Sequence, residues 1–583
     1  MTIAIPQTVA AHPTENAALE RDLQVLDAHK QAWVGLSLAA KIGLLEQVKR
    51  ETVKVAERWV QAAVRAKGIP DGSPLAGEEW SSGPWALLYG LSQSIKTLGE
   101  IKAHGKPQIK QSAIRRASNG QVIVDVFPSS LYDRLLLSGV TAEVWMEPQV
   151  TVENLDQNIA ALYRDPKPVG KLALVLGAGN IASIAPLDVL YKLIAEGQVC
   201  LLKMNPVNEY LGPFLEEAFK PLIAKDFVRI VYGSGDVGAW LCNHPLVEEI
   251  HVTGSARTHD AIVFGTGPAG ETRKAKDQPQ NARRVTSELG NISPTIVVPG
   301  PWTAADLQFQ AENIATQKMH NAGFNCIAAQ VLVLPAEWNR TQALVDAVKT
   351  TLQGIPNRKA YYPGAGDRQA NAVKAHPDAV LLDQALDGVP RTLIANVPAS
   401  QGDDFCFREE AFGAVLTETR LPGDARRFLA NAVKFCNDTL WGTLGANLLI
   451  HPTTIKELGP AFDEALAALR YGCIAINTWT GVGFLLAQAS WGAFPGHARN
   501  DIQSGSGVVH NSLLFDHPQK SIVRAPFYPF PRGAAHLQAA ILPKPPWFVT
   551  NKQAHEVTRQ LTYFEANPSP LRLPGIFFAA LRG

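Results

Sequence analysis

Short apolar runs, each closed by a Gly-containing or polar turn and most followed by a helical pattern, constrain this chain more than any other feature. They are KLALVL (171–176), QVCLLKMNP (198–206), FVRIVYG (227–233), EEIHVTGS (248–255) and PTIVVP (294–299). Strands alternating with helical stretches predict a parallel, doubly wound sheet. The nearly unbroken apolar character agrees, because a parallel strand is covered on both faces. The rhythm resumes with a helix over 304–322, QVLVLP (330–335), a helix over 337–353, TLIANVP (392–398), GAVLTETRL (413–421), a helix over 424–438, ANLLIHP (446–452) and GCIAIN (472–477). This second α/β unit occupies roughly 301–505. The fold class is therefore α/β, a doubly wound parallel-sheet domain followed by a second α/β domain.

The flanks read differently. A helical pattern runs from Ala18 to Ala66, and another from Trp85 to Ile101. Between them GIPDGSPLAGEEWSSGP (68–84) is rich in Gly, Pro and Ser and reads as a long loop. QVIVDVFP (121–128) is a strand, and TAEVWMEPQVTV (141–152) is a ribbon or edge strand with one Pro. Residues 1 to about 14 form a loose start without a basic and then apolar leader. GPAGETRKAKDQPQNARR (267–284) is polar and basic and reads as an exposed insertion, and the tail is Pro-rich.

Charge excludes whole classes of function. With 54 Lys and Arg against 53 Asp and Glu, the net charge is +1, which removes the electrostatic case for a nucleic-acid or membrane-surface protein. No run of about eighteen apolar residues is present to span a membrane. The 6 cysteines are scattered and none has zinc spacing with a neighbour, so no metal site is expected. The expectation is a soluble protein of a reducing compartment, the cytoplasm.

Two turns match a dinucleotide fingerprint. Gly177, Gly179 and Ala182 form G-x-G-x-x-A after KLALVL; Gly233, Gly235 and Gly238 form G-x-G-x-x-G after FVRIVY. Such glycines let backbone approach a pyrophosphate at a helix N-terminus. Both cannot be the sole site of that kind, so one match is structural or does something else. Cys326 lies in MHNAGFNCIAAQVLVLP. A free cysteine is most simply a small buried hydrophobe, but the small and polar flank HNAGFN suits a thiol at a site. A nucleophilic thiol needs a lowered pKa or a neighbouring base.

Four segments then appear in order: Thr253-Gly254-Ser255, VTSELGNISP around Glu288 and Gly290, NAGFNC ending at Cys326, and EEAFG from Glu409 to Gly413. The set resembles the aldehyde dehydrogenase superfamily over roughly residues 130–510. The resemblance implies that the Cys326 thiolate attacks an aldehyde carbon and that Asn180 and the Cys326 N–H hold the oxyanion. Hydride then passes to a nicotinamide, and Glu288 activates water against the thioester. It assigns the first fingerprint to the oxyanion asparagine rather than to a pyrophosphate. For the cofactor, NAD or NADP, it implies Lys203 and Glu410 on the two riboses, Ser255 after Gly254 near the pyrophosphate, and Phe412 beside the ring. Gly233 and Gly238 fall near the adenine end, and Gly290 beside the ring pocket.

The chain also departs from the family. The usual aromatic-lined P-W-N-F-P stretch is Ala178-Gly179-Asn180-Ile181-Ala182, the glutamine before the cysteine is Phe324, and Pro206 replaces a glutamate that would repel a 2′-phosphate. With the basic run Arg273, Lys274, Lys276, Arg283 and Arg284, this predicts that NADP is accepted; a solvated loop is the other reading of that run. Trp479, Phe484, Trp491, Phe494 and Phe324 are candidates to line an apolar entrance for aromatic or medium-to-long aliphatic aldehydes. A CoA-dependent acylating dehydrogenase or acyl-CoA reductase is the alternative activity, and a non-catalytic relative is a third.

The implied division is 1–140, an N-terminal helical part with the first strands of the cofactor domain; 141–163, a small β-ribbon for oligomerisation; 164–300, the dinucleotide-binding domain; 301–505, the catalytic domain; and 506–583, an oligomerisation strand and Pro-rich extension. A homodimer or homotetramer is expected, with TAEVWMEPQVTVEN and SGVVHNSLLF as its contacts.

Overall fold

A computed structural model describes residues 13–384 and 388–583. The expected loose start therefore lies mostly outside the described residues. Two sheets organise the chain. The smaller one orders its strands 505–506, 284–289, 249–254, 171–176, 198–203 and 228–231, all parallel except the first. Chain order reverses at Lys171–Leu176, and doubly wound sheets place ligands outside the carboxyl ends of strands at such a switch point. The expected strand-by-strand alternation of this unit is present, with helices Ile184–Ile194, Gly235–Asn243 and Ala256–Phe264 between strands.

The larger sheet has 11 strands, in the order 114–116, 122–127, 141–146, 518–524, 473–476, 445–449, 293–297, 329–335, 415–421, 392–394 and 380–381. Its middle, from Pro518–Arg524 to Thr392–Ile394, is parallel throughout. Three expectations change here. The strand at 122–127 joins this sheet, not the cofactor sheet, and so does Ser293–Val297. The ribbon is not a free edge, because Thr141–Met146 bonds Val122–Phe127 on one side and Pro518–Arg524 on the other. SGVVHNSLLF contributes no long strand; it runs largely buried against the fold, with single bridges at Val509 and Phe515.

The stretch 68–84 is not a loop along its length. Ala76–Trp80 is helical, Ser81–Trp85 is a π-helical turn, and Ala86–His104 continues the helix. Gly83 takes a non-helical φ/ψ of −120°/−112° and Pro84 sits inside the turn, which a π-bulge tolerates and local sequence signals read as a break. Long-range burial decides the outcome. The helix Ala554–Ala566 of the tail packs on this segment so closely that a Cβ on Gly77 would lie 2.5 Å from the Ala554 carbonyl carbon. Trp80 stacks edge-on with His555 and lies 5.8 Å from Tyr563, ring to ring. The Pro-rich tail thus wraps the chain's own N-terminal helices. The insertion at 267–284 is mostly exposed, as expected, and carries the helix Gly267–Ala275. Among the described residues no helix is long and apolar enough to cross a membrane, and all six cysteines are free.

Candidate active site

The carboxyl ends of the small sheet meet one loop of the larger domain. Glu288 lies near the end of its strand Arg284–Leu289, almost fully buried. Cys326 follows the helix Ala304–Met319 and a turn in which Asn321 and Ala322 are both left-handed, at φ 54° and 55°. Positive φ in two successive non-glycine residues is strained and persists only where surroundings impose it. The result is direct: the Cys326 thiol donates to Glu288 Oε1 at 3.0 Å. Burial pushes the Glu288 carboxyl up to about 7, Asp188's charge adds to the rise, and the thiol hydrogen bond opposes it. Burial and the adjacent Glu288 charge hold the thiol well above its ordinary range, so it rests protonated.

Asn180 lies in the loop after Lys171–Leu176, and its Nδ2 donates to the Phe324 carbonyl at 3.0 Å. The Gly177–Ala182 turn therefore serves this asparagine, and its helix begins only at Ile184. Behind the two loops is a buried polar knot that motif reading missed. Lys67 Nζ donates to Glu79 Oε1 at 2.8 Å, and to Asn180 O and Asn321 Oδ1 at 3.0 Å each. Asn321 Nδ2 reaches Phe324 O at 2.9 Å, and the Asn321 amide donates to Glu78, which Arg358 pairs at 2.8 Å. Lys67, Glu78 and Glu79 come from the N-terminal helical part, where neither spacing nor motif marks them; two successive carboxylates beside tryptophan in a predicted loop were the one available sign.

The cofactor candidates surround the same strand ends. Lys203 closes Gln198–Lys203 and is buried, which lowers its pKa. Gly233 takes φ 145° before the helix Gly235–Asn243, in which Gly238 is buried. Gly254 ends its strand exposed, and exposed Ser255 caps the helix Ala256–Phe264 through a bond from Thr258 N. Glu410 Oε2 lies where a Cβ on Gly290 would be, only 1.9 Å away, while Oε1 is buried without a partner. That orphaned acceptor and the open helix start at Ser255 fit a ribose hydroxyl and a pyrophosphate. Burial pushes Glu410 up to about 8 and Lys318, near it, down to about 7. Phe412 packs 4.9 Å from Tyr362, ring to ring.

Two expectations are corrected. The basic insertion is largely spoken for: Lys274 pairs with Asp260, Arg284 with Glu196 and Glu249, and Arg273 and Arg283 bond backbone carbonyls. Of the aromatic residues, Trp479, Phe484 and Trp491 line an apolar cavity at Cys326. Phe324 instead turns to Tyr361, Tyr362 and Phe412, and Phe494 packs under Lys520.

The model of the aldehyde dehydrogenase family matches residues 141–484. The chain belongs to the aldehyde dehydrogenase family. Membership makes it an NAD(P)-dependent oxidoreductase of that type. It is 23% identical over 396 residues to a protein named probable coniferyl aldehyde dehydrogenase from Pseudomonas aeruginosa, covering 65% of this chain and 75% of that one. Among solved structures, an NAD-dependent aldehyde dehydrogenase from Sinorhizobium meliloti superposes with a TM-score of 0.59 at 18% identity, covering 88% and 86% of the two chains. An aldehyde dehydrogenase from Pseudomonas syringae, solved with NAD+ and octanal, gives a TM-score of 0.58 at 17% identity, covering 88% and 90%. Those likenesses bear on the fold.

Proposed function

We propose that this chain oxidises an apolar aldehyde, aromatic or medium-to-long aliphatic, to its carboxylic acid through a thiohemiacetal and a thioester on Cys326. The observation that carries the reading is the 3.0 Å Cys326–Glu288 bond at the floor of an apolar cavity. The thiol is a poor nucleophile while protonated, and Glu288 is placed to take its proton as sulfur attacks the carbonyl carbon. The resulting oxyanion needs donors fixed in advance. Asn180, held by Phe324 O, and the Cys326 N–H are the candidates. Lys203, Ser255 and Glu410 would hold NAD(P)+, whose chemistry would be to take up the hydride. Once Glu288 has shed its proton, it removes one from water, the hydroxyl adds to the thioester carbon, and the thiol leaves. A carboxyl that titrates at about 7 exists in both forms near neutrality, which suits those two duties.

Glu288→Gln tests this. Hydrolysis should fall by roughly 10²–10⁴-fold, more than the thiol's attack slows, so a pre-steady-state burst of reduced cofactor persists at a lower rate. In the native protein hydrolysis rises with pH through about 7, because the base form of a raised carboxyl accumulates on its alkaline side; the variant should lose that rise. A variant without any burst removes the assigned order of events. Adding CoA should not alter the product; an acyl-CoA product supports the acylating alternative.

NADP acceptance rests on Pro206, since four of the five basic residues have internal partners. The negative charge of Glu209 only partly opposes the burial that lowers the Lys203 pKa. Expected kcat/KM values for NAD and NADP lie within about tenfold of each other, a difference of about 1.4 kcal/mol. A preference for NAD of a thousandfold defeats the expectation.

A further inference from the structure

The tail beyond the family's reach enters the site. The cavity at Cys326 is lined not only by Ile181, Trp479 and Trp491 but by Ser81 and Ser82 of the π turn and by Trp547 of the tail. On the far side of Trp547 lies a second, partly open apolar pocket, between the tail and the body of the fold. Its walls include Leu136, Leu137 and Phe309 on the body and Ile541, Leu542 and Phe548 on the tail. Among the described residues, Trp547 is the one that lines both chambers. Its indole Nε1 is buried and has no hydrogen-bond partner, so packing alone holds the ring. No described Asp, Glu, Lys or Arg lines either chamber. Such surroundings offer nothing to a charged tail and suit an unbranched hydrocarbon chain.

We propose that Trp547 is the dividing wall between the Cys326 chamber and a second acyl-chain chamber, and that rotation of its ring admits the distal methylenes of a long unbranched aldehyde. This rests on the proposed reading that Cys326 attacks aldehydes. The aldehyde carbon lies at Sγ, the first methylenes fill the Cys326 chamber, and a longer chain passes the indole to meet Leu137 and Leu542. A chamber made by the tail also gives the Pro-rich segment a role, because Pro545 and Pro546 fix the backbone that carries the ring.

The experiment uses the full-length chain, unbranched aldehydes from propanal to tetradecanal, and dodecanoate as a probe that needs no turnover. In the native protein each added methylene should raise kcat/KM by about three- to fourfold, the value for burial of one CH₂, until the chambers are full. Trp547→Ala should raise the ratio of kcat/KM for dodecanal to that for propanal about tenfold. Ala540→Trp, which fills the second chamber far from the thiol, should depress dodecanal and dodecanoate binding about tenfold while propanal is unchanged. Equal effects on short and long chains in both variants overturn the proposal, as does dodecanoate binding that neither variant alters. If no aldehyde is oxidised but Ala540→Trp still weakens dodecanoate binding, the chamber stands and the dehydrogenase reading falls. A variant that fails to fold is recognised by its far-ultraviolet circular dichroism, and the other then decides.

Discussion

Replacing Cys326 with alanine should abolish aldehyde oxidation, by roughly 10⁴-fold or more, the order of loss seen when a covalent nucleophile is removed. Nothing else in the chamber can substitute. His320 lines it, but burial lowers its pKa and its Nδ1 has no partner; it is a weak base with nothing to activate. The other five cysteines are almost fully buried in the core. Cofactor affinity should stay within about twofold, because Lys203, Ser255 and Glu410 do not depend on the thiol; RT ln 2 is well below 1 kcal/mol. A second consequence separates a local effect from a general one. The thiol hydrogen bond pulls the Glu288 pKa down, so its loss should move that carboxyl's titration above about 7, readable by difference infrared spectroscopy. Turnover within tenfold of the native rate eliminates the covalent route.

Lys67→Met should destabilise the protein by about 3–5 kcal/mol, the cost of breaking one partner out of a buried ion pair. Lys67 and Glu79 are 3% and 1% exposed, so the orphaned Glu79 charge would have no water to turn to. Two acceptors on the catalytic loops, Asn180 O and Asn321 Oδ1, would each lose a donor, though Tyr361 still reaches both at 3.1 and 3.0 Å. The left-handed turn at Asn321 and Ala322 is held by this knot, so kcat should fall more than KM rises. Denaturant midpoints check the stability effect. The double variant Lys67→Met with Glu79→Leu should recover much of it, because an apolar pair of similar size leaves no buried charge. An unchanged midpoint in Lys67→Met refutes the assignment.

Much of this was readable from sequence, and the reason is chemical. Cys326, Glu288, Asn180 and Glu410 stand in short segments whose residue types have few alternatives, and the parallel strands announce themselves by unbroken apolar runs such as KLALVL. The segment 68–84 was not readable. Gly83, Pro84 and three serines signal a break to any local reading, whereas the structure satisfies Glu78 and Glu79 with Arg358 and Lys67, the former 280 residues away in sequence. The ribbon at 141–146 was legible as a strand but not in its pairing, because register with 518–524 depends on where a distant stretch of chain runs. Trp547 was invisible for the same reason: a tryptophan between prolines and phenylalanine carries no local sign of the cavity it divides.

The walls around Cys326 are drawn from Ser81, Ile181, Trp479 and Trp547, and chains emerge from the ribosome in order, earlier parts folding first. The sulfur is therefore synthesised, and Glu288 set beside its place, long before the tail that roofs it exists. Until Trp547 and its flanks have been made, an incomplete molecule presents an open pocket with no lid of its own. The last wall around the thiol thus arrives only late in synthesis, so that a chain ended before Trp547 would lack that part of its shelter.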